Sequence, residues 1–495
     1  MSFKYFGLDG TFVSIHFHPV AINLFFRLSK QDSIQIEMHK ILEFQAVVLA
    51  AGRGSRLPDV GGNVSKCLLP VGPYPVLWYP LNMLEKLGFQ ETMVIVVDED
   101  KSSILNSLEK CPLKIKYELI VIPAEEDWGT ANSLRHISNR VTTDLIVISG
   151  DLITNINLNE VLNLYRKHDA TLASLFFDNG PEEWIELPGL KSKSKPDRDL
   201  VCIDKETQRL VFLASASDFE ENVTLPRILM KKYNSLSMHS RLLDAHVYVM
   251  KHWVINYLVE VDKFTSVKGE LVPHIVKKQL SKPKNLAEKK GTSEKNVQVT
   301  KDIFDYAVEQ GYESKIREMS AYNDHKLGSK GLYYNDRLRC YAHIPEKTIF
   351  GIRVNTLSSF CLANNKITQK WEEFTGSLFT NLFHPNSDVK TNQISDTSVG
   401  DKSIIHEKTS IKSSIIGSNC TVENKVRLTN CILMNNVNIR EGCTLQNCIV
   451  YTGATIETSC SIQYSLIGPH HVVPASTKGN HQLYAETTDN MITLG

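Results

Sequence analysis

No excess of either charge marks this 495-residue chain, because 55 lysines and arginines meet 55 aspartates and glutamates. No global field therefore draws it to nucleic acid or anionic lipid, and a charged partner has to be met by a local patch. Its ten cysteines include no C-x-x-C pair, which removes the familiar zinc and redox spacings. Five of them, Cys420, Cys431, Cys443, Cys448 and Cys460, fall in one repetitive region, and small buried thiols of a cytosolic protein account for them better than disulfides. Long apolar runs are lacking too: the stretch from Thr11 to Phe26 is too short to span a bilayer. A secretory leader is the lesser alternative, since His16, His18 and Pro19 interrupt it, Asp9 stands where a basic residue belongs, and no clean cleavage site follows. Residues 1–43 are therefore expected to be an added arm, disordered or carried by an extended start, ahead of a first strand opening at Phe44.

What is present is ample apolar material, 42% of residues, enough for at least one large core in a chain of two or three domains. Short apolar runs at Ala46–Ala50, Met93–Val97, Ile120–Ile122 and Asp144–Ile148 alternate with helical patterns at Leu81–Leu87 and Leu158–Tyr165. That alternation predicts an α/β domain with a mostly parallel sheet covered by helices. Lys191 to Arg198 reads as a surface loop, and the polar, aperiodic stretch 281–301 as a disordered insertion. The first domain is expected over 44–370, followed by a linker over 371–390.

A numerical regularity dominates the rest. Val399, Ile416, Leu433, Val450 and Ile467 form one aliphatic column; Ile405, Val422, Ile439 and Ile456 a second; Ile411, Leu428, Leu445 and Ile462 a third. Every step within a column is 17 residues, and successive columns lie six, six and five residues apart. Three sides per coil is the arithmetic of a triangular parallel β-helix of hexapeptide repeats, expected over 391–470 with a tail over 471–495. Ser413, Asn430, Asn447 and Tyr464 keep the same register at a turn and suggest a structural ladder. His406, His470 and His471 share no such spacing and read as surface residues, so the general base of a β-helix acyltransferase is not in evidence.

Chemistry is concentrated in Gly52-Arg53-Gly54-Ser55-Arg56-Leu57, a glycine-rich turn after a strand, where backbone N–H groups can approach an anion. With Lys66 ten residues after Arg56 and Leu68-Leu69-Pro70-Val71-Gly72 beyond it, the stretch resembles the signature of sugar-phosphate nucleotidyltransferases. The resemblance implies that Arg56 and Lys66 face a nucleoside triphosphate, that Gly129-Thr130-Ala131 is a base-contacting turn, and that Asp151 is a first magnesium aspartate. Read without it, Arg56 and Lys66 are surface charges and Asp151 a strand-end turn residue.

Several positions depart from the pattern. Asp59, Gly61 and Ser65 replace a proline, a threonine and a second proline of the signature. His246 stands where a glycine lets sugar approach, and Lys268 where a glutamate binds it. Arg353 occupies the position of the second magnesium aspartate, with Asp324 and Asp336 as alternative donors. An arginine accepts nothing and carries permanent positive charge, so it cannot ligate a metal.

An eroded nucleotidyltransferase, a fold the resemblance implies to be a Rossmann-type mixed sheet, followed by a left-handed parallel β-helix resembles the gamma subunits of eukaryotic translation initiation factor 2B. Phe44-Gln45-Ala46-Val47-Val48, Leu77-Trp78-Tyr79-Pro80-Leu81-Asn82, Asp151-Leu152-Ile153-Thr154, Asp244-Ala245-His246 and Arg339-Cys340-Tyr341 carry that resemblance. The epsilon subunits share both domains and add a helical-repeat domain, which is not expected here, about 25 residues following the last coil. The resemblance implies a non-catalytic or assisting cytosolic subunit of a guanine nucleotide exchange factor that promotes GDP release from initiation factor 2. Its implied partners are the epsilon subunit, the alpha, beta and delta subunits, and factor 2 itself, with no nucleic acid or membrane. No cofactor or resident metal is implied, only a vestigial nucleotide-binding set of Gly52, Gly54, Arg56, Lys66, Gly129 and Asp151. The rival function is an active sugar-1-phosphate nucleotidyltransferase, such as a mannose-1-phosphate guanylyltransferase.

Overall fold

The computed structural model describes residues 2–6, 12–16, 43–52, 65–123, 128–178, 188–189, 199–215, 223–233, 235–281, 301–308, 311–312, 315, 319, 337–375 and 382–485. Gly54, Arg56, Asp59, Gly61, Asp324 and Asp336, the loop 191–198 and nearly all of the insertion 281–301 lie outside the described residues. Within the first 43 residues, Ser2–Phe6 and Phe12–His16 pair as antiparallel strands.

Valine, isoleucine and leucine dominate the strands that open the first domain. β1 (Phe44–Leu49), β2 (Glu91–Val97), β3 (Lys116–Ile122) and β4 (Asp144–Ser149) pair in parallel in the order β4-β1-β2-β3. Their near-continuous apolar runs are what a sheet covered on both faces requires. The cover comes from α1 (Trp78–Lys86), α2 (Lys101–Leu108), α3 (Thr130–His136), α4 (Asn159–Lys167), α5 (His252–Glu260) and α6 (Val272–Lys278). Two apolar clusters fill the two faces of the sheet, one around Val47, Ile95 and Val147, the other around Val48, Val94 and Ile148.

The expectation of a mostly parallel sheet holds for that half alone. β5 (Leu152–Thr154) leaves the sheet, and β6 (Leu172–Phe177), β7 (Asp199–Asp204), β8 (Leu210–Ala214) and the 15-residue β9 (Leu236–Met250) follow. β9 runs antiparallel to β4, β6 and β7, so one long strand stitches the second half onto the first. β10 (Cys340–His343) adds in parallel to β6, and β11 (Gly351–Arg353) pairs antiparallel with β5. Period alone does not reveal direction, because a strand buried on both faces reads the same either way.

α7 (Leu357–Gln369) and α8 (Trp371–Thr375) then lead into the β-helix, so the segment read as a linker begins as a helix. Three parallel sheets of seven, six and six short strands form the stack. Val399 pairs with Ile416, Ile405 with Val422 and Ile411 with Leu428, each step 17 residues. All three columns point inward and are at most 3% exposed. The stack runs from Leu382 to Tyr484, longer at both ends than 391–470. At the start, Phe383 pairs with Val399 across 16 residues, which breaks the register; at the end, Gly479 stands in an aliphatic column.

The ladder at the coil corner is present. Ser413, Asn430, Asn447 and Tyr464 adopt left-handed φ values of 45–51°, and Asn430 Nδ2 donates to Asn447 Oδ1 at 2.5 Å. Asparagine tolerates that conformation better than most side chains. The ten cysteines are free thiols, and all five in the stack are buried. Among the described residues no helix is long and apolar enough to cross a membrane.

The two domains share a core. Tyr79, Trp78, Phe360, Ile367, Trp371 and Phe374 lie in one buried cluster with Ile432, Met434, Ile449 and Leu466, which project from the outer face of one β-helix sheet.

Ile439 and Leu445 are essentially without exposure, whereas Arg440 only pairs with Glu423 at the surface. Aspartate at Ile439 or Leu445 is expected to cost more than about 4 kcal/mol, and Arg440→Gln less than about 0.5 kcal/mol. Thermal unfolding of the three variants checks this; equal losses would show that the inward columns are misassigned.

Candidate functional site

At the carboxyl ends of β1 and β4 lies a cavity of about 160 Å³. Its walls include Gly52, Lys66, Trp128, Thr130, Ser133, Ser149, Asp151, His246 and Arg353. The edge of a sheet where strands end is where α/β folds place ligands. Of the residues singled out in the sequence as a nucleotide site, Gly52, Lys66, Thr130 and Asp151 line the cavity, while Gly129, the N-cap of α3, is not among its lining residues. Of the departures, His246 and Arg353 line the wall, whereas Lys268 lies outside the lining and pairs with Asp199 at 2.8 Å.

Asp151 organises the cluster. It follows β4 directly, is only 4% exposed, and its neighbour Gly150 packs so close to Leu49 that a Cβ would lie 3.0 Å from the Leu49 carbonyl oxygen. Arg353 grips the carboxylate at two points, Nε donating to Oδ1 and Nη2 to Oδ2, each at 3.0 Å. Lys66 donates to Oδ2, and Ser149 Oγ donates to Oδ1 at 2.6 Å. Burial works against the charged form, but the charges of Arg353 and then Lys66, with their hydrogen bonds, hold the carboxyl well below the usual carboxylate range. Two-point guanidinium–carboxylate contact is among the strongest of charged hydrogen-bond geometries.

His246 is held by strain. It sits in a bulge of β9 opposite β6, where pairing jumps from Ser174↔Tyr248 to Phe176↔Asp244, and its φ is +51°. Asp244 fixes that shape: its Oδ1 accepts from the His246 N–H at 2.8 Å and its Oδ2 from the Tyr248 hydroxyl at 2.7 Å. The imidazole Nε2 lies 2.8 Å from Arg353 Nη1. A guanidinium only donates, so Nε2 accepts and the ring is neutral with its proton on Nδ1. Burial first, then the Arg353 and Lys268 charges, keeps it well below its ordinary 6.5.

Gly129 has a steric role. A Cβ there would lie 2.1 Å from the Thr265 carbonyl oxygen, which instead accepts from the Ala131 N–H at 2.9 Å. Thr130 Oγ1 accepts from the Val267 N–H at 2.8 Å. The start of α3 is thereby pinned to the segment that carries Lys268. Sequence reading passed over Ser149, Trp128 and Asp199. Ser149 lies two residues before Asp151 and Trp128 beside Gly129, which is the signal available; nothing local marks Asp199.

A magnesium ion does not fit this donor set. Both oxygens of Asp151 are already occupied by cations and a serine hydroxyl, and a divalent ion beside Arg353 would be repelled. Among the described residues no group of three or more histidine, cysteine or acidic side chains could hold a metal.

The depressed His246 pKa has a definite sign. The unfolded chain takes up a proton near pH 6.5 that the folded pocket refuses, so stability is intact above that pH and falls below it. Asp151 acts in the same direction at lower pH, its contribution present above 3.8 and lost below. We expect thermal stability to decline from pH 7 to pH 5 and His246→Asn to flatten that decline by up to about 1.4 kcal/mol per pH unit. Parallel curves for the two proteins would refute the assignment of a buried neutral ring.

Comparison with known proteins agrees with both halves of this architecture. Residues 45–183 match the nucleotidyl transferase family, and residues 386–478 match the family described as the EIF2B subunit epsilon LbH domain. The eIF2B gamma subunit of Caenorhabditis elegans is 32% identical over 248 residues, 48% of this chain and 59% of that protein. That of Schizosaccharomyces pombe is 30% identical over 51% of this chain and 55% of its own length. That of Dictyostelium discoideum is 24% identical over 75% of this chain and 87% of its own. The chain thus spans less than two thirds of the first two relatives. Both halves of the chain, a nucleotidyltransferase domain of mixed sheet and a left-handed parallel β-helix, are thus similar to known families, and over much of its length the chain is similar to eIF2B gamma subunits.

Proposed function

We propose that this chain is a non-catalytic subunit of a cytosolic guanine nucleotide exchange factor, and that its nucleotidyltransferase site carries out no chemistry. In that role it assists an epsilon-type partner, together with alpha, beta and delta subunits, in releasing GDP from initiation factor 2. The observation that carries the second half is the saturation of Asp151. Joining two phosphates requires a divalent ion to draw them together and offset their charge. Here the carboxylate that would hold it is gripped by Arg353 and Lys66, so the positive charge of the site is built into the protein and already matched. Lys66, Arg353 and Lys268 face Asp151, Asp199 and Asp244, three cations among three carboxyl groups. Gly52, Lys66, Gly129 and Asp151, with Gly54 and Arg56 outside the described residues, are read as a vestigial nucleotide-binding set, and a nucleotide held there is held without a metal bridge.

The exchange role rests on the relatives' names and the shared two-domain plan. Two assays on one preparation test it. Pyrophosphate release with GTP or UTP and common sugar 1-phosphates is expected to stay at background, and Arg353→Asp alone is expected not to restore it, since His246 and Lys268 still occupy the sugar side. Labelled GDP is expected to leave initiation factor 2 faster with this chain plus its epsilon partner than with the partner alone. Robust magnesium-dependent pyrophosphate release would establish an enzyme instead, and unchanged GDP release would remove the exchange role.

A further inference from the structure

The pocket and the joint between the domains are connected by very little chain. β11 ends at Arg353, and only Val354, Asn355 and Thr356 separate it from α7. Thr356 caps that helix, its Oγ1 accepting from the Ser359 N–H at 3.1 Å. Phe360, Ala363 and Ile367 of α7 lie in the cluster that also buries Ile432, Met434, Ile449 and Leu466 of the β-helix. Asp151 holds this connection twice, its carboxylate through Arg353 and its main-chain oxygen through the Val354 N–H at 2.9 Å.

The second cation on Asp151 leads to the same helix. Lys66 opens a short turn, Lys66–Leu68, that runs through Pro70–Val71 to Gly72. The Gly72 N–H donates to Asn364 Oδ1 of α7 at 3.0 Å. Gly72 has φ +61°, and a Cβ there would lie 3.3 Å from Ile367, so backbone and helix meet closely at that point. Both segments that deliver a cation to Asp151 therefore grip α7, one by chain continuity and one by hydrogen bond. Lys268, in contrast, pairs with Asp199 on segments with no such continuity to α7.

We propose that the Asp151 cluster is a latch that fixes the start of α7, and through α7 the seat of the β-helix on the nucleotidyltransferase domain. The pocket then serves as a control point for the relative placement of the domains. A buried ion pair is weak evidence of stability by itself, but it holds elements in one arrangement when its geometry is two-pointed and its ends lie on different segments.

Hydrogen–deuterium exchange of the full chain tests this by following the amides of α7 alongside thermal stability. Arg353→Met and Asp151→Asn each unpair one side, and exchange in 357–369 is expected to accelerate roughly tenfold or more. The triple variant, Lys66→Met with Asp151→Asn and Arg353→Met, removes all three charges of the cluster, so thermal stability should recover while α7 remains fast. Lys268→Met controls for general loosening of the buried network and is expected to leave α7 exchange unchanged at matched distance below the melting temperature. Recovery of α7 protection together with stability in the triple variant would overturn the latch and reduce the cluster to ordinary packing. So would equal acceleration by Lys268→Met.

Discussion

A carboxylate buried at the end of a central strand has to be matched, and Asp151 sets the terms for everything around it. The position is dictated by backbone: β4 ends at Ser149, and the Gly150 N–H donates to the Leu49 carbonyl at 2.8 Å. A lone ionised group there would bear a desolvation cost of several kcal/mol. In a metal-dependent transferase a divalent ion supplies the counter-charge, along with a place for phosphate oxygens. In this chain the counter-charge is covalent, since Lys66 and Arg353 cannot leave with a ligand. The positive charge beside Asp151 is thus part of the chain itself.

The consequences extend along the wall. With Arg353 in place, its remaining donors need an acceptor, and the neutral Nε2 of His246 provides one. That arrangement requires the left-handed backbone at His246, which Asp244 and Tyr248 stabilise from behind. Strain of this kind persists only where neighbours over-determine it. His246, Arg353 and Asp244 are therefore parts of one packing solution.

The β-helix solves a different problem. Each coil alone leaves a row of unpaired backbone groups, and stacking pairs them with the next coil while closing the aliphatic columns into a dry core. One outer sheet face is apolar and buries Ile432, Ile449 and Leu466 against α7 and the aromatic cluster of Trp78, Tyr79 and Trp371. The two domains are consequently bound by a shared core to which α7 contributes Phe360, Ala363 and Ile367.

How much of this was legible in the sequence follows from the range of each interaction. The 17-residue columns from Val399 to Ile467 fixed the β-helix, its coil size and its inward residues, because each coil repeats the same local demand. The first four strands and the signature lysine were legible for the same reason: apolar runs and glycine turns express local backbone requirements. Departures at His246, Lys268 and Arg353 could be named from the sequence, but what they touch could not. Arg353 lies 202 residues from Asp151, and His246 lies 107 from Arg353. Asp199, with no local signal, was invisible until β7 and β9 brought it to Lys268. The sequence by itself determined which charges the chain carries and how its coils repeat; only the tertiary structure decided which charge neutralises which, because pairing between distant segments depends on where a whole sheet places its strand ends.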